Sequence, residues 1–571
     1  MPLRYQSHTI RQRLDFLYSE EDAEAAYAAV NRLVDKYRQK IESTPYKLSE
    51  KDAILITYGN QVIRHNEAPL ETLRDFLEAR VGDIINTVHI LPFYPYSSDD
   101  GFSVIDYKEV SPQMGEWRDI HAIAHNYRLM FDAVINHVSR YSYWFKAFLA
   151  GDAKFKGFFI EMDPTTDLSM VVRPRTTPLL SEFNDEEGHV RYIWTTFSKD
   201  QVDLNYQNYR VLVAVLDALL SYIEQGAKLL RLDAIAFLWK EVGTACVHLP
   251  QTHELIQLMR EVLHLVAPEV IIITETNVPH EENVSYFGSG DDEAQMVYNF
   301  ALPPLLAHGI LTENAGVLQQ WASTLELPSD KVCFFNFTAS HDGIGLRAAS
   351  GILDDEQIEF LVQTATEHGG LVSYRAIGND EQKPYEINCN YMDLLTHPSD
   401  SDENRIRRML LSQAVMLAMP GVPGIYFHSL IGTRNYYDGV QRTGINRSIN
   451  REKFSLQFLE EELDQTSSSK NRVFAAYKRA ISIRTRERAF DPFGPFDFPR
   501  LHPQVFAIAH RCCQQSEQIL ALHNFSAEPV AITLADDFPL PAEDLFSHQP
   551  VEAHDMTLDP YGIVWLKTSG C

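Results

Sequence analysis

The stretch KLLRLDAIAF, residues 228–237, decides the fold. Its apolar residues run on without the polar alternation of a half-solvated strand, the pattern of a parallel strand covered by helices on both faces. Its charges, Arg231 and Asp233, stand two residues apart and therefore on one face of a strand. Seven other runs share this form: AILITY at 53–58, NTVHILPF at 86–93, LMFDAVINH at 129–137, EVIIITET at 269–276, QMVYNF at 295–300, KVCFFNF at 331–337 and PGIYFH at 423–428. Amphipathic helical stretches separate them, so the chain is expected to be an α/β protein built on a (β/α)8 TIM barrel. Active sites of such barrels sit at the C-terminal ends of the strands, where Asp132, His137, Asp233, Glu275, His341 and Asp342 would converge.

Outside these runs, residues 1–50 hold no strand-like segment and place Ala26, Ala29, Val30, Leu33, Val34 and Tyr37 at helical spacing, so a helical N-terminal extension is expected. The catalytic barrel is expected over 51–490, with segments at about 139–204 and 346–404 too long for simple loops and read as inserted subdomains. The second is expected to fold partly over the mouth. From 491 to 571 the short runs VFAIAH, QILALHNF, VAITL and IVWLK, separated by turn residues, indicate a C-terminal antiparallel β domain.

The 50 basic against 78 acidic residues give a formal charge of −28, a surface that repels nucleic acid and anionic membranes. A small anion would bind only where arginines reverse the field locally. No apolar stretch is long enough to span a bilayer, and the N-terminus has charges where a signal peptide has an apolar run, so a cytoplasmic protein is expected. Cys246, Cys333, Cys389, Cys512, Cys513 and Cys571 form no C-x-x-C pair and are read as buried or incidental thiols.

A guanidinium beside a carboxylate favours the ionised form, so Arg231 is expected to lower the pKa of Asp233, as a carboxylate nucleophile requires. Taken alone, the pair reads equally well as a barrel-mouth salt bridge. Glu275 ends an apolar run, where partial desolvation would raise its pKa toward that of a proton donor. An isolated pair such as His341–Asp342 is more often structural than catalytic. Three carboxylates at three strand ends nevertheless suit retaining glycoside chemistry, which needs two of them about 5 to 5.5 Å apart. Asn136 and His137 add neutral groups for sugar hydroxyls, Asn136 otherwise reading as a loop cap.

In order along the chain, DAVINH, RLDAIAF, ITETN and SHDGIG resemble the motifs of the α-amylase superfamily. Within it, VHILPFYPYSSDDGFSVIDY, VRPR, WTTFSKDQVDLNY, FALPPLLAHG and INRSINR resemble the sucrose phosphorylase branch, from about Lys51 onward. The resemblance implies that Asp233 attacks the anomeric carbon, that Glu275 protonates the leaving oxygen and then activates the acceptor, and that Asp342 binds and distorts the sugar. It also implies a glucosyl pocket of Asp99, Phe102, His137, Arg231, His341 and Arg447, with Asp99 and Arg447 clamping the far hydroxyl so that a single glucose fills it. Arg175 in VRPR and Tyr385 in KPYEIN match phosphate-contacting positions of the branch, which meets the need for a local cation.

Asn277 and Glu386 stand where sucrose phosphorylases usually carry His and Gln, on the aglycone side. The combination of SSDDGFSVIDY, ITETNVPH, GSGDDEAQMVYNF, YEIN and the N-terminal extension looks closer to the glucosylglycerate phosphorylases, which implies conversion of glucosylglycerate and inorganic phosphate into α-glucose 1-phosphate and D-glycerate. Glu386 would oppose a glycerate carboxylate, and a cation such as Arg173 or Arg434 would have to offset it. Asn136 resembles a calcium ligand of amylases, but the branch generally works without the ion, so no metal and no cofactor is expected. Phosphorolysis of sucrose, sucrose 6'-phosphate or glucosylglycerol is an alternative, as is a hydrolase or transglucosidase with the same trio, which has no need of Arg175 and Tyr385. A non-catalytic barrel is a third, against which the joint presence of Asp233, Glu275 and Asp342 speaks.

Overall fold

A computed structural model describes residues 3–377, 381–512 and 517–568. The eight runs named above are the strands of one closed parallel barrel: β1 Ile54–Thr57, β2 Thr87–Ile90, β3 Arg128–Ala133, β4 Ala227–Leu232, β5 Ile271–Thr274, β6 Met296–Tyr298, β7 Cys333–Asn336 and β8 Val422–Tyr426. Each pairs with its neighbours in sequence, and β8 closes on β1 with Ile54 opposite Gly424. Every residue of β1, β2 and β5 to β8 is buried, which is why no solvent-facing alternation marks them. The register sets Asp132 on β3 beside Arg231 on β4, and Arg231 beside Ile273 on β5. An acid and a guanidinium thus meet before any loop contributes.

Two helices precede the barrel, α1 Leu3–Leu17 and α2 Glu20–Arg38. Ser19 caps α2 by accepting from the Asp22 N–H at 3.3 Å, and acids in its first turn and Lys36 and Arg38 in its last suit the helix dipole. The buried stripe of α2, which includes Ala26, Val30 and Val34, packs on α3 (Tyr209–Glu224), while α1 packs on α4 (Pro250–Val266). Arg13 Nη1 meets Glu254 Oε1 at 2.8 Å and Tyr37 Oη donates to Asp217 Oδ1 at 2.9 Å. Because α3 and α4 follow β3 and β4, these helices brace the outer wall of the barrel and leave its mouth alone.

Beyond β3, His137–Ser139 pairs with Gln201–Asp203, and Leu180–Asn184 forms a hairpin with Val190–Trp194. Beyond β7, Ile344–Gly345 joins the hairpin of Leu371–Ile377 and Glu381–Asn388, with Gly345 opposite Glu386. Toward the C-terminus, Val505–Arg511, Gln518–Asn524 and Ile563–Thr568 lie side by side in a six-stranded antiparallel sheet. That sheet has an apolar cluster of its own and docks on the barrel helices through His510 Nε2, which donates to the Ala418 carbonyl at 2.6 Å. Among the described residues no helix is long and apolar enough to cross a membrane. Cys246, Cys333 and Cys389 are buried free thiols and Cys512 is half-buried; Cys513 and Cys571 lie outside the described residues.

Candidate active site

A cavity of about 610 Å³ opens at the C-terminal ends of the strands, a size suited to a small-molecule site. Asp233 follows β4, Glu275 follows β5 and Asp342 lies beyond β7, and all three line the cavity. Arg231 lies beneath them at 1% exposure, with Nη1 2.9 Å from Asp233 Oδ1 and Nη2 3.8 Å from Glu275 Oε2. The same Nη1 pairs with Asp132, whose other oxygen is 2.7 Å from His89 Nε2. Ala234, next to the expected nucleophile, has a φ of 51°, a left-handed conformation that costs a residue with a Cβ about 1 to 2 kcal/mol. The turn delivers its N–H to Glu275 Oε2 at 3.1 Å and so fixes where Glu275 stands relative to Asp233.

A second strained loop builds the far wall. Asp99, Asp100 and Gly101 have φ values of 53°, 49° and 115°, and a Cβ on Gly101 would fall 2.4 Å from the Pro92 carbonyl oxygen, so only glycine fits there. The loop projects Phe102, whose ring stacks on His341 at 4.4 Å and 2° and whose carbonyl accepts from His137 Nε2 at 2.9 Å.

Asp99 and Arg447, expected to clamp the far sugar hydroxyl between them, both line the cavity. Arg451 holds this loop in place, with Nη1 3.3 Å from Asp99 Oδ1 and 3.2 Å from Asp100 Oδ2, and Nε donating to the His341 carbonyl at 2.8 Å. Arg447 forks onto Glu386 at 2.8 and 2.7 Å and also pairs with Asp342. Arg447 lies within the 3-10 turn Asn446–Asn450 and Arg451 follows its last residue, and at three residues per turn positions four apart point about 120° apart. Arg451 Nη2 is buried with no hydrogen-bond partner among the described residues.

Burial dominates the titration of the trio. It pushes Asp233 up to about 6, with Arg231 opposing and Asp132 and Asp342 reinforcing it, so the net direction is opposite to the one expected from Arg231 alone. Glu275 is pushed up to about 7 by burial, against Arg231 and with the help of Asp233 and Asp342. Asp342 moves the other way: burial raises it, but Arg447, Arg231, Arg451 and Arg175 together hold it below the ordinary carboxylate range. Burial also lowers His341 and His137, which keeps both rings neutral. The site therefore holds an ionised Asp342 beside a pair, Asp233 and Glu275, that shares a proton near neutrality.

The Arg175 guanidinium lies over the Tyr385 ring at 5.1 Å and the Phe197 ring at 5.8 Å, and all three residues line the cavity. Glu386 is 2% exposed and forks with Arg447, a cation it shares with Asp342. Neither cation put forward to offset it lines the cavity: Arg434 binds Asp393, and Arg173 donates to the Thr176 and Thr177 carbonyls of its own loop. Asn277 does line it. Asn136 Oδ1 accepts from Lys240 Nζ at 2.8 Å, and that ammonium also sits 2.8 Å from Asp203 Oδ2. A lysine charge thus occupies the corner that Asn136 marked, and among the described residues no cluster of three acid, His or Cys side chains could hold an ion. Lys240 and Arg451 were not reached from the sequence; a second Ile-Asn-Arg triplet at 449–451 was the available signal for Arg451.

A parallel barrel with a buried guanidinium beneath carboxylates at successive strand ends defines the α-amylase class, and residues 83–325 match the alpha amylase catalytic domain. The crystal structure of sucrose 6F-phosphate phosphorylase from Thermoanaerobacter thermosaccharolyticum has the same fold, with a TM-score of 0.74 at 24% identity over 89% of this chain and 99% of that one. The glucosylglycerate phosphorylase of Spirochaeta thermophila is 47% identical over 524 residues, 90% of this chain and 89% of that protein. Its Escherichia coli counterpart is 42% identical over 539 residues, 94% of this chain and 95% of that protein. The chain belongs to the glucosylglycerate phosphorylase family.

Proposed function

We propose that this chain is a retaining α-glucoside phosphorylase that converts glucosylglycerate and phosphate into α-glucose 1-phosphate and D-glycerate. The observation that carries the reading is one cavity that holds the Asp233–Glu275 pair over Arg231 and presents Arg175 against Tyr385. Family membership supports the choice of donor.

In the first step ionised Asp233 attacks the anomeric carbon while the bond from that carbon to the glycerate oxygen breaks. Glu275 gives its proton to that oxygen, and glycerate leaves with a hydroxyl restored. In the second step an oxygen of hydrogen phosphate attacks the same carbon, its proton passes to Glu275, and the bond to Asp233 breaks. Two inversions preserve the α configuration. Asp342, kept ionised, binds ring hydroxyls and offsets positive charge developing on the sugar, and Arg451 anchors the wall that ends the glucosyl pocket. Phosphate approaches three carboxylates, and Arg175 supplies the opposing charge. A hydrolase has no need of that cation.

Glucosylglycerate, sucrose, glucosylglycerol and sucrose 6'-phosphate, each incubated with phosphate, should release glucose 1-phosphate fastest from the first. Faster turnover of sucrose sinks the donor assignment, and free glucose formed at equal rates with and without phosphate makes the protein a hydrolase.

A further inference from the structure

Among the described residues, three arginines line the cavity: Arg175, Arg347 and Arg447. Arg447 is neutralised by Glu386 and Asp342, and Arg175 stands where the functional reading places phosphate. Arg347 has no ion-pair partner among the described residues. It opens the short turn Arg347–Ala349, just beyond the bridge at Ile344–Gly345.

Two observations direct it at a ligand. The nearby cation is Arg375: after burial, the field of Arg347 is the next cause that lowers its pKa, as it is for His248, whose ring at about 4 is neutral. Glu282, on the adjacent helix His280–Val284, is already held by His248 Nε2 at 3.1 Å. A guanidinium that lines a cavity beside a second one, without an ion-pair partner among the described residues, attracts an anion. Next, a Cβ on Gly345 would fall 2.5 Å from Asn277 Nδ2, so the Asn277 amide lies flat against the backbone two residues before Arg347. The Asn277 Oδ1 is buried and has no hydrogen-bond partner among the described residues.

We infer that Arg347 and Asn277 form the acceptor subsite, in which the Arg347 guanidinium binds the carboxylate of the leaving acid and Asn277 Oδ1 accepts from its remaining hydroxyl. The inference rests on the functional reading above and sharpens it, because glycerate carries one carboxylate and, besides the glycosidic oxygen, one further hydroxyl. Carboxylate and phosphate then have separate guanidinium partners on different walls of the cavity, Arg347 beyond β7 and Arg175 in the segment after β3.

Two reactions of the whole enzyme separate these partners. Transfer of glucose from α-glucose 1-phosphate to D-glycerate uses both, whereas arsenolysis of α-glucose 1-phosphate never meets the acceptor. R347A is expected to lower kcat/KM for D-glycerate about 100-fold more than it lowers arsenolysis, the loss typical of removing one partner of a desolvated charge pair. It should shrink the preference for D-glycerate over uncharged glycerol by a similar factor, and R347K should recover part of it through KM. Equal losses in both reactions in R347A and R347Q, or an undiminished preference for glycerate over glycerol, overturn the assignment. A wild-type enzyme that forms no glucose 1-phosphate from glucosylglycerate overturns the functional reading, and the assignment with it; that control reads out independently of the variants.

Discussion

Replacing Glu275 with Gln preserves the shape of the site and removes a charge that the site holds at a cost. Burial, with Arg231 against it and Asp233 and Asp342 reinforcing it, lifts Glu275 from 4.5 to about 7. A carboxyl group with a raised folded-state pKa gives stability that is complete below the unfolded value, declines as pH rises from about 4.5 to about 7, and is fully lost above that. At about 1.4 kcal/mol for each pKa unit, the wild type gives up about 3 kcal/mol across this window, and E275Q does not. An unfolding entropy of about 2.1 cal/mol/K per residue over 571 residues converts this to about 3 °C in Tm. Scanning calorimetry of both proteins at fixed ionic strength and scan rate should therefore show the Tm difference, E275Q minus wild type, growing by about 3 °C between pH 5 and pH 8. Asp233, freed of a neighbouring charge in E275Q, shifts the difference in the same direction. A Tm difference that is flat with pH, or that shrinks toward pH 8, refutes the reasoning.

The proposed mechanism needs Asp233 ionised and Glu275 protonated, so kcat/KM should follow a narrow bell with limbs near 6 and 7, read from initial rates across pH. With α-glucosyl fluoride as donor, whose leaving group needs no proton, the alkaline limb should disappear. R451A should lower kcat/KM about 100-fold in phosphorolysis, arsenolysis and hydrolysis alike, because it strips the wall that ends the glucosyl pocket and leaves Asp99 and Asp100 without their counter-ion; selective loss of one reaction would contradict that role. R175A should reduce phosphorolysis about 100-fold more than hydrolysis, measured as glucose 1-phosphate against free glucose, and an equal fall in both would remove Arg175 from the phosphate site.

The barrel was legible because helices cover its strands on both sides, so each strand shows as an apolar run with its polar residues at the end that becomes the mouth. That logic alone placed Asp233, Glu275 and Asp342 around one cavity. What the sequence concealed depends on three-dimensional burial and on turn geometry. Arg231 beside Asp233 suggested a lowered pKa, yet burial, which no spacing reveals, outweighs the guanidinium. The sequence marked Arg447 and passed over Arg451 in the second Ile-Asn-Arg triplet, and the 3-10 turn that contains the first arginine and ends before the second directs Arg451 to Asp99 and Arg447 to Glu386 and Asp342. That Arg447 would pair with Glu386 could not be seen, because the two lie 61 positions apart and only the fold brings them together. Arg347 passed unnoticed since nothing in GIGLR at 343–347 marks a side chain that the hairpin register will turn into the cavity.

The central claim is retention with phosphate as the attacking group. Proton NMR of the first sugar phosphate formed from glucosylglycerate, recorded before any anomeric exchange, tests it most directly. The expected signal is the anomeric proton of α-glucose 1-phosphate, coupled to phosphorus and present from the earliest time point. A β-configured phosphate would demand a single displacement and dismiss Asp233 as nucleophile, and free glucose in its place would dismiss phosphorolysis altogether.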